Sequence, residues 1–152
     1  MAHKVPPRAD SLMDRVARLV VKEGVTLGNL GESDRSLALA WVWVGLPADT
    51  VTDEPGVNAQ LKQALQGPAS CLDTDHVELR RWLVDGGWLA RDGYGRSYQR
   101  VAADELPAHQ TALGQALDGT DTAAMVERLR LERVAARQAR HEAWQASRQA
   151  AA

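Results

Sequence analysis

The stretch LDTDHVELRRWLVDGGWLARDGYGRSYQRV, Leu72 to Val101, leaves the chain the fewest ways to fold. Leu72, Leu79 and Leu83 recur at helical spacing until Gly86-Gly87, where two residues without side chains stop the helix. Trp88-Leu89 on one side and Tyr98 and Val101 on the other then flank the turn-forming run Asp92-Gly93-Tyr94-Gly95, which predicts a β-hairpin. A helix and a hairpin of this size cannot bury their apolar sides alone, so earlier helices must cover them. Helix, tight turn and hairpin form the second half of a winged helix.

The upstream residues supply the missing first half. Leu12, Val16, Leu19 and Val20 make the apolar stripe of an amphipathic helix capped by Ser11 or Asp10 and ended near Gly24. Before it, Met1 to Ala9 with Pro6-Pro7 offer little to bury and predict a flexible lead-in. Ser33 or Asp34 precedes the run RSLALAWVWVGLP. The alternation Trp41-Val42-Trp43-Val44 is compatible with a strand, but the length of the run and the capping signal favour a buried helix ended by Gly45 and Pro47. Thr50-Val51-Thr52 favours a short strand. Asp53, Glu54 and Pro55 then start a helix with Val57, Leu61, Ala64 and Leu65 on one face, closed by Gly67-Pro68.

Two helices follow the hairpin, one from about Leu106 to Leu117 and one from Asp118-Gly119-Thr120-Asp121 almost to Ala152. The expected fold class is α+β and mostly helical: a winged helix-turn-helix-like domain with an N-terminal helix and a long C-terminal helical extension. The divisions fall at 1–25, 26–102 and 103–152, and 152 residues with 45% hydrophobic content suit one core with appendages.

With these residues in place, the central stretch resembles the prokaryotic family of domain of unknown function 2087. The family's helix end and hairpin pattern is matched by Leu79, Arg80, Arg81, Leu83, Val84, Asp85 and Gly87, then Leu89, Arg91, Gly95, Tyr98 and Arg100. Thr52, Glu54, Val57 and Asn58 match an upstream segment, so the resemblance covers roughly Thr26 to Val101. Gly31-Glu32-Ser33-Asp34 stands where a basic entry is expected, and Pro55-Gly56 interrupts a helix start. The resemblance implies a winged-helix-like fold and a role in transcriptional regulation, with no catalytic residues.

Charge decides where such a domain would bind. The net charge of -2 argues against a protein that coats nucleic acid, so any contact must be local. The third helix of a winged helix normally enters the major groove, but between Asp73 and Asp85 four acids oppose Arg80 and Arg81. Asp73 and Asp75 suit the helix dipole, and Arg80, Arg81 and Asp85 read as braces against the wing. The wing is better supplied, with Arg91, Arg96 and Arg100 against Asp92 and beside Tyr94 and Tyr98, although Tyr98 reads as a core residue and alternate arginines as a solvated face. Trp82 and Trp88 read as packing between helix and wing.

On the last helix Arg130, Arg133, Arg137, Arg140 and Arg148 fall within a sector of roughly 80°, together with Trp144. The opposite face, Met125, Leu129, Ala136, Ala139 and Ala143, is small and apolar and able to pack on the domain or on a second copy. The stripe fits solvent, an acidic protein, a second copy of the chain or nucleic acid.

Other chemistry is sparse. His3, His76, His109 and His141 lack ligand spacing, and no metal, cofactor or membrane role is expected. The lone Cys71 reads as a semi-buried thiol and the chain as cytosolic. The expected function is that of a non-enzymatic nucleic-acid-binding regulator, with candidate contacts Arg81, Arg91, Arg96, Arg100, Arg130, Arg133, Arg137, Arg140 and Arg148 and duplex DNA as partner. The alternative is an interaction or oligomerisation module that docks through its C-terminal helix.

Overall fold

The computed structural model describes residues 11–94 and 96–151; the expected lead-in of Met1 to Ala9, the alternative cap Asp10, Gly95 and Ala152 lie outside them. The chain is α+β and mostly helical, with six α-helices among the described residues and one small antiparallel sheet. Helix α1 (Leu12–Val20) is capped by Ser11, whose hydroxyl accepts from the Asp14 amide at 3.1 Å. It buries Val16, Leu19 and Val20, and Gly24 turns the chain away with a φ of +67°.

Helix α2 (Glu32–Val44) is the centre of the molecule. The eight residues from Leu37 to Val44 are all buried, so the helix is covered on every side and shows no amphipathic period. That explains why its sequence alternates like a strand without being one. Its N-cap is Gly31, so Ser33 and Asp34 sit inside the first turn, where Glu32 and Asp34 complement the helix dipole. Arg35 fixes the entry by donating to the carbonyls of Leu27 (3.0 Å) and Leu30 (2.8 Å). The indoles are anchored too: Trp41 donates to the Pro68 carbonyl at 2.9 Å and Trp43 to the Val101 carbonyl at 2.8 Å. Truncating a tryptophan as buried as Trp43 would cost about 3–5 kcal/mol.

Strand β1 (Val51–Asp53) leads straight into α3 (Glu54–Gln66), whose cap Asp53 accepts from the Gly56 amide at 2.8 Å and whose first turn holds Pro55. Helix α4 (His76–Asp85) is shorter than the leucine spacing predicts. Leu72 lies outside it, in an isolated parallel bridge with Val25. There the Val25 amide donates to the Cys71 carbonyl and the Asp73 amide to the Val25 carbonyl, each at 2.8 Å. Asp75 starts α4 by accepting from the Glu78 amide at 2.7 Å.

Strands β2 (Leu89–Arg91) and β3 (Ser97–Arg100) form the hairpin, and β1 joins it in the order β1-β3-β2. Tyr98 faces Thr52 on one side and Arg91 on the other, while Leu89 faces Arg100. Helix α5 (Ala108–Leu117) packs on α2, and α6 (Thr122–Ala150) begins at the cap Asp121. One hydrophobic core runs through all of this, from Val16 in α1 to Val126 in α6.

Candidate binding surfaces

Two of the residues that carry the family pattern, Arg80 and Arg100, turn out to be fasteners. Arg80 of α4 donates to the Asn58 side-chain oxygen, pairs with Glu54 at 3.3 Å and lies 5.6 Å from the centre of the Tyr98 ring. It therefore joins α4 to α3 and β3. Arg100 is enclosed further, with only 8% of its side chain exposed. One guanidinium nitrogen donates to the carbonyls of Val44 (3.2 Å) and Leu46 (3.0 Å), which end α2 without helical partners. The other pairs with Asp118 at 2.8 Å, and the group sits 4.0 Å from the Trp43 ring centre.

Arg100 thus caps α2, and its donors are engaged by the Val44 and Leu46 carbonyls and Asp118. The sequence held the signal: strand alternation puts Arg100 on the same face as Tyr98 and, across the register, Leu89, both buried. Arg91 shares that face but lies at the far end of the hairpin, beyond the core, and is exposed.

The hairpin tip is built around Asp92. Its carboxylate accepts from the amides of Arg96 (2.8 Å) and Tyr94 (3.2 Å), while its own amide donates to the Ser97 carbonyl at 3.1 Å. The Arg96 amide, followed by the Ser97 side chain and amide and the Tyr94 amide, holds the carboxyl below its ordinary range. This clasp presents Tyr94, 87% exposed, with the Arg96 guanidinium 5.9 Å from its ring centre. Arg91 and Arg96 are exposed and form no ion pair among the described residues.

The outer face of α4 is acidic, as its sequence predicts. Asp73, Asp75, Glu78 and Asp85 are exposed there, with Arg81 exposed among them. Glu78 accepts from the Thr74 hydroxyl at 3.0 Å and the Trp82 indole at 3.4 Å. Trp82 is half-buried beneath Arg35, which lies 4.7 Å from its ring centre. Trp88 is fully buried against Trp43, at 5.7 Å between ring centres.

Helix α6 divides the arginine stripe in two. Thr122 and Val126 are buried and Met125 and Leu129 half-buried against the body. Arg130 and Arg133 lie four and seven residues after Val126, on the same side of the helix. They hook the body: Arg130 donates to the Ser70 hydroxyl at 2.6 Å and Arg133 to the Val21 carbonyl at 2.9 Å. Val21 ends α1, so Arg133 meets the negative end of that helix. The stripe and the docking face therefore overlap, and Ala136, Ala139 and Ala143 of the small apolar face are exposed.

From Leu131 onward every described residue is exposed. Among the described residues Arg133 makes the last hydrogen bond from α6 to the body, so about 25 Å of helix projects beyond it. Arg137, Arg140 and Arg148 lie on that part, where Arg148 covers Trp144 at 4.9 Å and His141 stacks on the same indole at 6.1 Å.

A cleft of ≈470 Å³ between α2, α3 and the start of α6 is lined by Trp41, Leu46, Gln60, Gln63 and Asp121 among others, without a histidine or cysteine. Cys71 is buried, and loss of hydration pushes its thiol pKa up, away from the reactive thiolate. Among the described residues no three His, Cys, Asp or Glu side chains converge to hold a metal, and no helix is long and apolar enough to cross a membrane.

No curated protein and no solved structure matches the chain. The stretch from the cap of α2 to the end of β3, residues 31–100, matches the family described as uncharacterized protein conserved in bacteria (DUF2087), the family its motif residues resemble.

Proposed function

We propose that the chain is a non-enzymatic winged-helix module of transcriptional regulation that works in the cytoplasm and grips duplex DNA through its wing. The order α2-β1-α3-α4-β2-β3, with β1 added to the hairpin at β3, supports the winged-helix reading. The observation that carries the DNA reading is the hairpin tip, where the Asp92 clasp presents Arg96 and Tyr94 near the exposed Arg91. Phosphate contact by two arginines and a tyrosine gives affinity and orientation without base readout. Helix α4 is left out of that contact, because the exposed carboxylates of Glu78 and Asp85 on it, and of Asp73 and Asp75 at its start, repel phosphate.

Anisotropy of a labelled duplex, titrated with the chain across a series of salt concentrations, tests this. Binding should weaken steeply with salt. The double variant Arg91→Ala/Arg96→Ala should flatten the logarithmic salt slope by about 1.8, two contacts at roughly 0.9 each. Absence of binding at low salt, or an unchanged slope in the variant, refutes the proposal.

A second reading is favoured by the projecting half of α6. A helix that leaves its own body with three arginines and a tryptophan exposed fits a docking element, with the winged helix as scaffold.

A further inference from the structure

We infer that the chain pairs with a second copy of itself, laying the free half of α6 along the outer face of the other copy's α4. This rests on the docking reading of α6 and is independent of DNA binding by the hairpin. The observation is a match of charge, period and length between the exposed arm of α6 and the acidic outer row of α4, whose Trp82 is half-buried beneath Arg35.

Charge is segregated in this protein. Helix α6 holds six of the eighteen cationic side chains and three of the twenty acidic ones, which leaves twelve cationic and seventeen acidic side chains elsewhere. The basic arm therefore projects from an acidic body. Arg137, Arg140 and Arg148 form no ion pair among the described residues. The like charges Arg133 and Arg137, four residues apart, repel each other on an isolated helix, and an acidic surface relieves that.

The two faces have the same layout. On α4, counting its cap, the outward row is Asp75, Glu78, Trp82 and Asp85, with steps of three, four and three residues. On α6 it is Arg137, Arg140, Trp144 and Arg148, with steps of three, four and four. At the helical rise of about 1.5 Å per residue the rows span about 15 Å and about 16 Å. Side by side, each puts a pair of charges at one end, a tryptophan in the middle and a single charge at the other end. The three carboxylates are exposed, and Trp144 is 54% exposed.

A phosphate backbone would match the arginines but leave the acidic row of α4 uncovered. A second copy covers both. In a two-fold pair each arm reaches the other body, so the contact forms twice and the area doubles. It also neutralises the α4 face, which otherwise faces solvent with Arg81 as its exposed cation.

Sedimentation velocity of the full chain at low and high salt, without DNA, tests the pairing. The wild-type chain should be a dimer at low salt and dissociate as salt rises. Arg137→Glu/Arg140→Glu/Arg148→Glu makes the arm acidic, and Glu78→Lys/Asp85→Lys makes the α4 face basic. Each variant alone sets like charges against each other and should self-associate about tenfold or more weakly. Mixed in equal amounts they should form a heterodimer, because the acidic arm then meets the basic α4 face with reversed sign and the unaltered arm meets the unaltered α4 face. Far-UV circular dichroism and melting confirm that the variants, altered only at exposed positions, stay folded. A wild-type monomer at low salt, a dimer indifferent to both reversals, or a mixture that stays monomeric overturns the inference. DNA binding could persist in any of these cases, so failure here is distinguishable from failure of the hairpin reading.

Discussion

Replacing Arg100 with alanine should damage the fold, with any loss of binding following from that. The change removes two charged donors from the Val44 and Leu46 carbonyls, at 3.2 and 3.0 Å, in a part-buried site. Stranding such acceptors costs about 1–3 kcal/mol each. Loss of the cation over Trp43, 4.0 Å from the ring centre, adds about 1 kcal/mol. Asp118 contributes little, since its side chain is 54% exposed and rehydrates when freed. The total is about 3–7 kcal/mol, a drop of roughly 1.5–3.5 M in urea midpoint at an m-value of about 2 kcal/mol/M. Arg100→Lys keeps the charge but cannot fork to the carbonyls and Asp118 together, so about half that loss is expected. Arg96→Ala is the control: an exposed arginine on the same hairpin, worth within about 0.5 kcal/mol. Equilibrium urea unfolding followed by tryptophan fluorescence measures all three. If Arg100→Ala loses less than about 1 kcal/mol, or no more than Arg96→Ala, the capping role of Arg100 is wrong.

Two further outcomes follow from local geometry. Gly87 has a φ of +78°, and a Cβ there would meet Pro107 Cγ at 2.8 Å, whereas Gly24 has a φ of +67° and open space around it. In thermal unfolding Gly87→Ala should lose about 2–4 kcal/mol and Gly24→Ala about 1 kcal/mol, and equal losses would show that the Pro107 contact is unimportant. The Asp92 carboxyl is held below its ordinary value of 3.8 by the Arg96 amide first and then by Ser97 and Tyr94. Since the folded value is the lower one, the ionised clasp supports the turn above 3.8 and is lost as pH falls through the folded value. The Arg96 and Tyr94 amide shifts in NMR should therefore titrate with a midpoint below 3.8; a midpoint at or above it contradicts the clasp.

Much of this fold is legible in local sequence because its signals are local. Asp53 and Pro55 start α3, Gly86 ends α4, and Asp121 starts α6 in hydrogen bonds spanning a few residues. Helix α2 is harder, since complete burial erases the period; length and terminators identify it where alternation misleads. Leu72 shows the opposite error. Its spacing to Leu79 is helical, but the segment is claimed by the bridge to Val25, forty-seven residues earlier. Among the candidate contacts, Arg96 and Arg91 are readable from the hairpin pattern. Arg130 and Arg133 are not, because the Ser70 and Val21 groups that hold them lie 60 and 112 residues away. Arg100 was readable from strand alternation, but counting hairpin charges without regard to which face they occupy assigns it to the surface.

That error bears on what the family match over residues 31–100 can say about function. Glu54, Asn58, Arg80, Tyr98 and Arg100, which carry much of the resemblance, are joined through Arg80 and Arg100 into ties between α2, α3, α4 and β3. A chain that keeps those residues keeps the way its helices lock onto the sheet, whatever it binds. The groups free to meet a partner lie outside the ties: Tyr94 and Arg96 at the hairpin tip, and Arg137, Arg140, Trp144 and Arg148 on a helix beyond the matched residues 31–100. Chains sharing the domain should thus share its fold while differing in hairpin tip and appended helix. In this chain, function should respond to charge reversal on α6 at constant stability, whereas reversal at Arg80 or Arg100 should act through unfolding.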